Sequence, residues 1–73
     1  MAKVLINQIR VLRFNHQEMT QQDLAKTVGV SRQTIVAIEK GKYSPSLEVA
    51  FKIADVFSVP IEQVFSYQEK AEE

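Results

Sequence analysis

The sequence predicts an all-α fold, a single domain of five short helices. Three observations carry that prediction. Apolar residues recur at helical spacing in successive segments. The breaks between segments hold helix start and stop signals: Ser or Thr at the starts, Gly29 and Gly41 at the stops, Pro45 and Pro60 beyond. The 73 residues, 45% hydrophobic and 25% charged, suit one small packed core rather than a disordered chain. With 0 Cys there is no disulfide to staple that core, so it must pack well or oligomerise.

Helix one is expected over residues 7–15, where Leu5, Ile9 and Leu12 fall at the helical period and Arg10 and Arg13 flank them. A polar break follows at residues 15–18. Thr20 opens helix two, with Asp23 three residues on to complete a capping box and Met19 and Leu24 to staple the start. Leu24, Ala25 and Val28 face inward, and Gly29 stops the helix. Ser31 caps helix three, Ile35 and Ile38 form its buried stripe, and Gly41 ends it. Ser46, after Pro45, caps helix four, whose buried face is Leu47, Ala50, Ile53, Ala54 and Phe57. Helix five covers about residues 61–65. The core spans about 4–68, and the polar end, 69–73, is expected to fray.

The two chain ends carry apolar runs beyond what five short helices need: Val4-Leu5-Ile6 and Phe65-Ser66-Tyr67. Two readings stay open. The runs pair as a small two-stranded antiparallel sheet, or each extends its neighbouring helix. Either way the surplus points to a dimer, with Val4, Ile6, Phe65 and Tyr67 as interface candidates.

Charge narrows the partners. The whole chain has a net charge of 0, but the first 43 residues carry 7 basic against 3 acidic side chains, and the last 30 carry 2 against 6. The N-terminal part is therefore the face for a polyanion, and the acidic half is one that a protein partner could meet. Met1-Ala2-Lys3-Val4-Leu5-Ile6 is too short for a signal core or a membrane span, so a cytoplasmic protein with no membrane partner is expected.

Helices two and three are joined by the very tight turn Val28-Gly29-Val30-Ser31, and such a glycine-containing joint is the mark of a helix-turn-helix. In that motif the first residues of the second helix reach base edges in the major groove. Those residues are Arg32, Gln33 and Thr34; Arg pairs bidentately with guanine and Gln with adenine. A plain helical hairpin with a solvated polar face fits the same residues.

The stretches Thr20-Gln21-Gln22-Asp23-Leu24-Ala25, Val28-Gly29-Val30-Ser31-Arg32-Gln33-Thr34-Ile35 and Ile38-Glu39-Lys40-Gly41-Lys42-Tyr43-Ser44-Pro45-Ser46-Leu47 closely resemble the phage-repressor/Cro-type (XRE) helix-turn-helix regulators, in a short single-domain form. The likeness continues through residues 50–54 and 59–65 and covers about residues 7–65. It implies a DNA-binding transcriptional regulator, in most relatives a repressor acting on a pseudo-palindromic operator as a homodimer. Some relatives are instead antitoxins or adaptors that bind a partner protein. The resemblance gives Gln21 a phosphate-holding and bracing role, makes Arg32 and Gln33 the principal base readers, has Thr34 touch a base or a phosphate, sets Ala37 one turn further along the groove-facing side, and counts Ser31 among the DNA-binding residues. It makes Lys40, Lys42, Tyr43, Ser44 and Ser46 backbone clamps, and it pairs Glu39 with Arg13 or Arg10 on helix one. The sequence departs from the pattern at residues 14–19, which run about one residue long and leave the end of helix one unfixed.

No enzyme, cofactor or metal is expected. His16 stands alone in a polar break without Cys or a second His. Ser31 and Ser46 are accounted for as caps, so no nucleophile constellation remains.

Overall fold

A computed structural model describes residues 2–70. The described elements are β1 (Lys3–Asn7), α1 (Ile9–Asn15), α2 (Gln21–Val28), α3 (Arg32–Glu39), α4 (Leu47–Val56), α5 (Ile61–Val64) and β2 (Phe65–Glu69). The helices wrap a core of Ile9, Leu24, Ala25, Val28, Ile35, Ile38, Ile53, Ala54, Phe57 and Val64. Each helix therefore contributes one apolar stripe, as its periodicity requires.

The chain ends form the sheet. β1 and β2 pair antiparallel, with Lys3 opposite Glu69, Leu5 opposite Tyr67 and Asn7 opposite Phe65. The ladder runs on past both strands: the Gln8 amide donates to the Val64 carbonyl at 2.9 Å, and the Lys70 amide to Ala2 at 2.9 Å. Of the frayed end expected over 69–73, Glu69 is the last residue of β2, and 71–73 lie outside the described residues.

Three expectations change. Leu5 belongs to β1 and is exposed, because helix one begins at Ile9 and not at residue 7. Leu47 is 71% exposed, not core: it is the first residue of α4, and the helix meets the hydrophobic cluster only from Val49 onward. Phe65 leaves the helical stretch and opens β2, with α5 ending at Val64.

Caps explain the boundaries. Thr20 accepts from the Asp23 amide at 2.9 Å, and the Asp23 carboxylate accepts in return from the Thr20 amide at 3.4 Å. Ser31 and Ser46 accept from the amides of Thr34 and Val49 at 3.1 and 3.2 Å. α2, α3 and α4 end alike: the amides of Val30, Lys42 and Val59 reach back five residues to the carbonyls of Ala25, Ala37 and Ala54. That bond needs a left-handed residue just before it, supplied by Gly29 at φ 88°, Gly41 at φ 76° and Ser58 at φ 55°. The connection between α1 and α2 turns through a left-handed pair, Gln17 at φ 59° and Glu18 at φ 54°.

Candidate nucleic-acid interface

α2 and α3 are packed together and joined through Gly29-Val30-Ser31, so the start of α3 projects from a rigid pair. Its first turn is exposed at Arg32 and Gln33 and half-buried at Thr34. The hydroxyls of Ser31 and Thr34 lie 2.9 Å apart, and Ser31 also accepts from the Thr34 amide. These two side chains therefore shape the helix start before they meet any ligand. Ala37 lies one turn on, half-buried.

A charged network fixes the angle of α3. Arg13 on α1 donates from Nε to Glu39 Oε2 at 2.7 Å and from Nη2 to Oε1 at 3.1 Å, and its third nitrogen donates to the Met19 carbonyl at 2.8 Å. Gln21 Nε2 donates to the same Glu39 Oε1 at 3.2 Å. One carboxylate thus ties α1, α2 and α3 together. The two charged side chains are 14% and 10% exposed, so water screens this pair less than a surface pair. Arg13 is the partner of Glu39, and Arg10 stays exposed.

Around this network runs an open groove lined by Arg10, Arg13, Arg32 and Lys40, with Glu18 and Glu39 as its acids. Since Arg13 neutralises Glu39, the groove presents positive charge, and Gln21, Gln22 and Thr20 add hydrogen-bonding groups along its α2 wall. Gln21, Arg32 and Lys40 are brought together here. Tyr43 and Ser44 are not: they border a separate cleft with Leu5, Asn7, Ile38 and Phe65, beneath the sheet. Lys42 and Ser46 are exposed on the loop between α3 and α4, where the Ser46 oxygen is engaged as a cap.

Asn7 and Val36 are two groups the sequence did not single out. Asn7 Nδ2 donates to the Ile38 carbonyl at 3.1 Å while its Oδ1 accepts from the Ile9 amide at 3.1 Å. It hooks the sheet and the start of α1 to the end of α3. An Asn between an apolar run and a helix is the only signal that pointed to it. Val36 lines the groove between Arg32 and Lys40.

The dimer candidates divide between the sheet's faces. By the register Val4 and Ile6 share one face, and Phe65 and Tyr67 the other. Phe65 packs against the core, Tyr67 is 67% exposed, and Val4 and Ile6 are half-buried outside the core cluster. The four do not form one patch.

The helix-turn-helix family model matches residues 9–64, the whole span from α1 to α5. The chain belongs to the XRE-type helix-turn-helix family. It is 59% identical over 63 residues to an uncharacterized HTH-type transcriptional regulator of Methanocaldococcus jannaschii, covering 86% of this chain and 94% of that one. A second such regulator, from Bacillus subtilis, is 53% identical over 51 residues, 70% of this chain and 77% of its own. A cryptic-phage CTXphi transcriptional repressor of Vibrio cholerae is 38% identical over 63 residues, 86% of this chain but 56% of the repressor. Among solved structures, a candidate DNA-binding protein of Bacteroides fragilis superposes with a TM-score of 0.74 at 28% identity, over 86% of this chain and 100% of its own. The fold is thus that of DNA-binding transcription regulators, and α2–α3 is its helix-turn-helix. Among the described residues no helix is long and apolar enough to cross a membrane.

Proposed function

We propose that this regulator is a cytoplasmic repressor that binds a pseudo-palindromic operator as a homodimer and acts by occupancy. The observation that carries the reading is the exposed first turn of α3, held at a fixed angle by the Arg13–Glu39–Gln21 network beside a positive groove. Arg32 and Gln33 read base edges there, and Gln21, Lys40, Lys42 and the Ser46 hydroxyl hold phosphates. Ser31, Thr34, Ala37, Tyr43 and Ser44 complete the contact surface. The work is binding and not catalysis, and no cofactor takes part.

Size supports two copies. The 8 residues of α3 rise about 12 Å in all, which covers three or four base pairs at about 3.4 Å each. So short a word recurs constantly among the ~10⁶–10⁹ competing sites of a genome. Two recognition helices about 34 Å apart, in successive major grooves, double the word.

Titration of variants on an operator duplex tests the roles. Gln33→Ala is expected to lose about 1–3 kcal/mol and to relax the preference at one base position. Lys42→Ala is expected to weaken binding equally on all sequences and to lower the salt slope by about 1 per subunit. Unchanged binding by Gln33→Ala removes it as a base reader, and a sequence-dependent loss with Lys42→Ala makes that residue a reader instead.

A further inference from the structure

The exposed face of α3 changes chemistry halfway along. Its first turn presents Arg32, Gln33 and Thr34, all able to hydrogen-bond. Its second turn presents Val36 and Ala37, which cannot. Both are half-buried, yet neither belongs to the core cluster or packs against it; the core-facing positions are filled by Ile35 and Ile38. Glu39, next along, is engaged by Arg13 and Gln21.

Val36 also sits four residues after Arg32 and four before Lys40, and all three line the groove. They form one row along the helix. A branched apolar side chain between two cations, outside the core, gains little from the folded protein itself. Its chemistry suits an apolar group brought in by a ligand.

We propose that Val36, with Ala37 beside it, reads the C5-methyl groups of thymine in the major groove, so that α3 carries a hydrogen-bonding first turn and a methyl-reading second turn. The inference rests on the operator-binding reading above. Thymine differs from the other bases at that edge by its methyl group as well as its O4 acceptor, and an apolar side chain can meet only the methyl. Four residues of helix rise about 6 Å, against ~3.4 Å per base step. The thymine therefore lies about two base pairs from the base that Arg32 reads.

Deoxyuridine keeps O4 and lacks the methyl. Duplexes carrying the selected operator, with each thymine replaced singly by deoxyuridine, are titrated against the wild type and Val36→Ala. The wild type is expected to lose about three- to tenfold in affinity at one or two positions in each half-site. Val36→Ala is expected to bind the unmodified duplex more weakly and to lose less than about twofold at those same positions, because the methyl no longer has its partner. Ala suits a helix interior, so an unchanged melting temperature and salt slope show that the variant folds and still holds phosphates.

Uracil tolerated by the wild type at every position overturns the proposal, and so does an undiminished penalty in Val36→Ala. A chain that selects a sequence but ignores the methyls overturns this inference alone. A chain that selects no sequence overturns the operator reading and this inference with it.

Discussion

Arg13 and Glu39 hold the interface from behind. Neither side chain needs to meet DNA, yet Glu39 receives hydrogen bonds from two other helices, and the Arg13 side chain is 14% exposed. Glu39→Ala leaves the Arg13 guanidinium with only the Met19 carbonyl. It is expected to cost about 2–3 kcal/mol in urea unfolding. Replacing both partners, Arg13→Met with Glu39→Leu, is expected to cost less than Glu39→Ala alone, because no charge is then left unpaired. Asn7→Ala removes three hydrogen bonds that join β1, α1 and α3, one of them long at 3.4 Å, and is expected to cost about 1–2 kcal/mol. The acid–base pair is legible in the sequence through family likeness, which leaves Arg10 and Arg13 level. Only the packing of α1 distinguishes them. Asn7 is hidden for a related reason: the carbonyls it donates to on α3 lie more than 30 positions away and leave no trace in side-chain type.

Helix ends give the sharpest contrast between what local chemistry fixes and what it does not. α2, α3 and α4 end with the same backbone bond, but only two of them use glycine. At Gly29, φ is 88° and nothing lies within 4 Å of where a Cβ would stand, so the whole cost of Gly29→Ala is backbone strain, about 1 kcal/mol. Ser58 adopts the same hand at φ 55° without glycine's freedom. Ser58→Gly is therefore expected to stabilise the protein by about 0.5–1 kcal/mol, and paired thermal melts of the two variants check both signs. The starts and stops of α2 and α3 are legible because Thr20, Ser31, Gly29 and Gly41 act within a few residues of themselves. β1 is not, beyond an open alternative. Its partner strand lies at the far end of the chain, Lys3 facing Glu69. No local signal therefore separates a paired strand from a helix extension, and Leu5 reads as part of the helix that follows. Leu47 misleads for a further reason: helical periodicity identifies a face, but not how far along that face the core extends.

At the level of the whole molecule, charge is unevenly distributed. The groove lined by Arg10, Arg32 and Lys40 is positive, while the last 30 residues carry 6 acids against 2 bases. Encounter with a polyanion is steered toward the α2–α3 side, and the affinity is expected to fall steeply as salt rises. Away from the groove, Leu5 and Tyr67 pair across the strands on one exposed face, with the Lys3 ammonium 5.8 Å from the centre of the Tyr67 ring. A homodimer that covers such surface has a melting temperature that rises with protein concentration. Melts over a wide range of concentration check this, and a constant value would point to a monomer.

The most direct measurement is selection of bound sequences from random duplex DNA at near-physiological salt, where non-specific binding is weak. Enrichment of a two-fold symmetric site, with half-site centres about 34 Å apart, is the predicted result. Recovery of unenriched DNA, held only weakly and released by modest salt, would contradict sequence reading by α3 and turn attention to a protein partner on the acidic half.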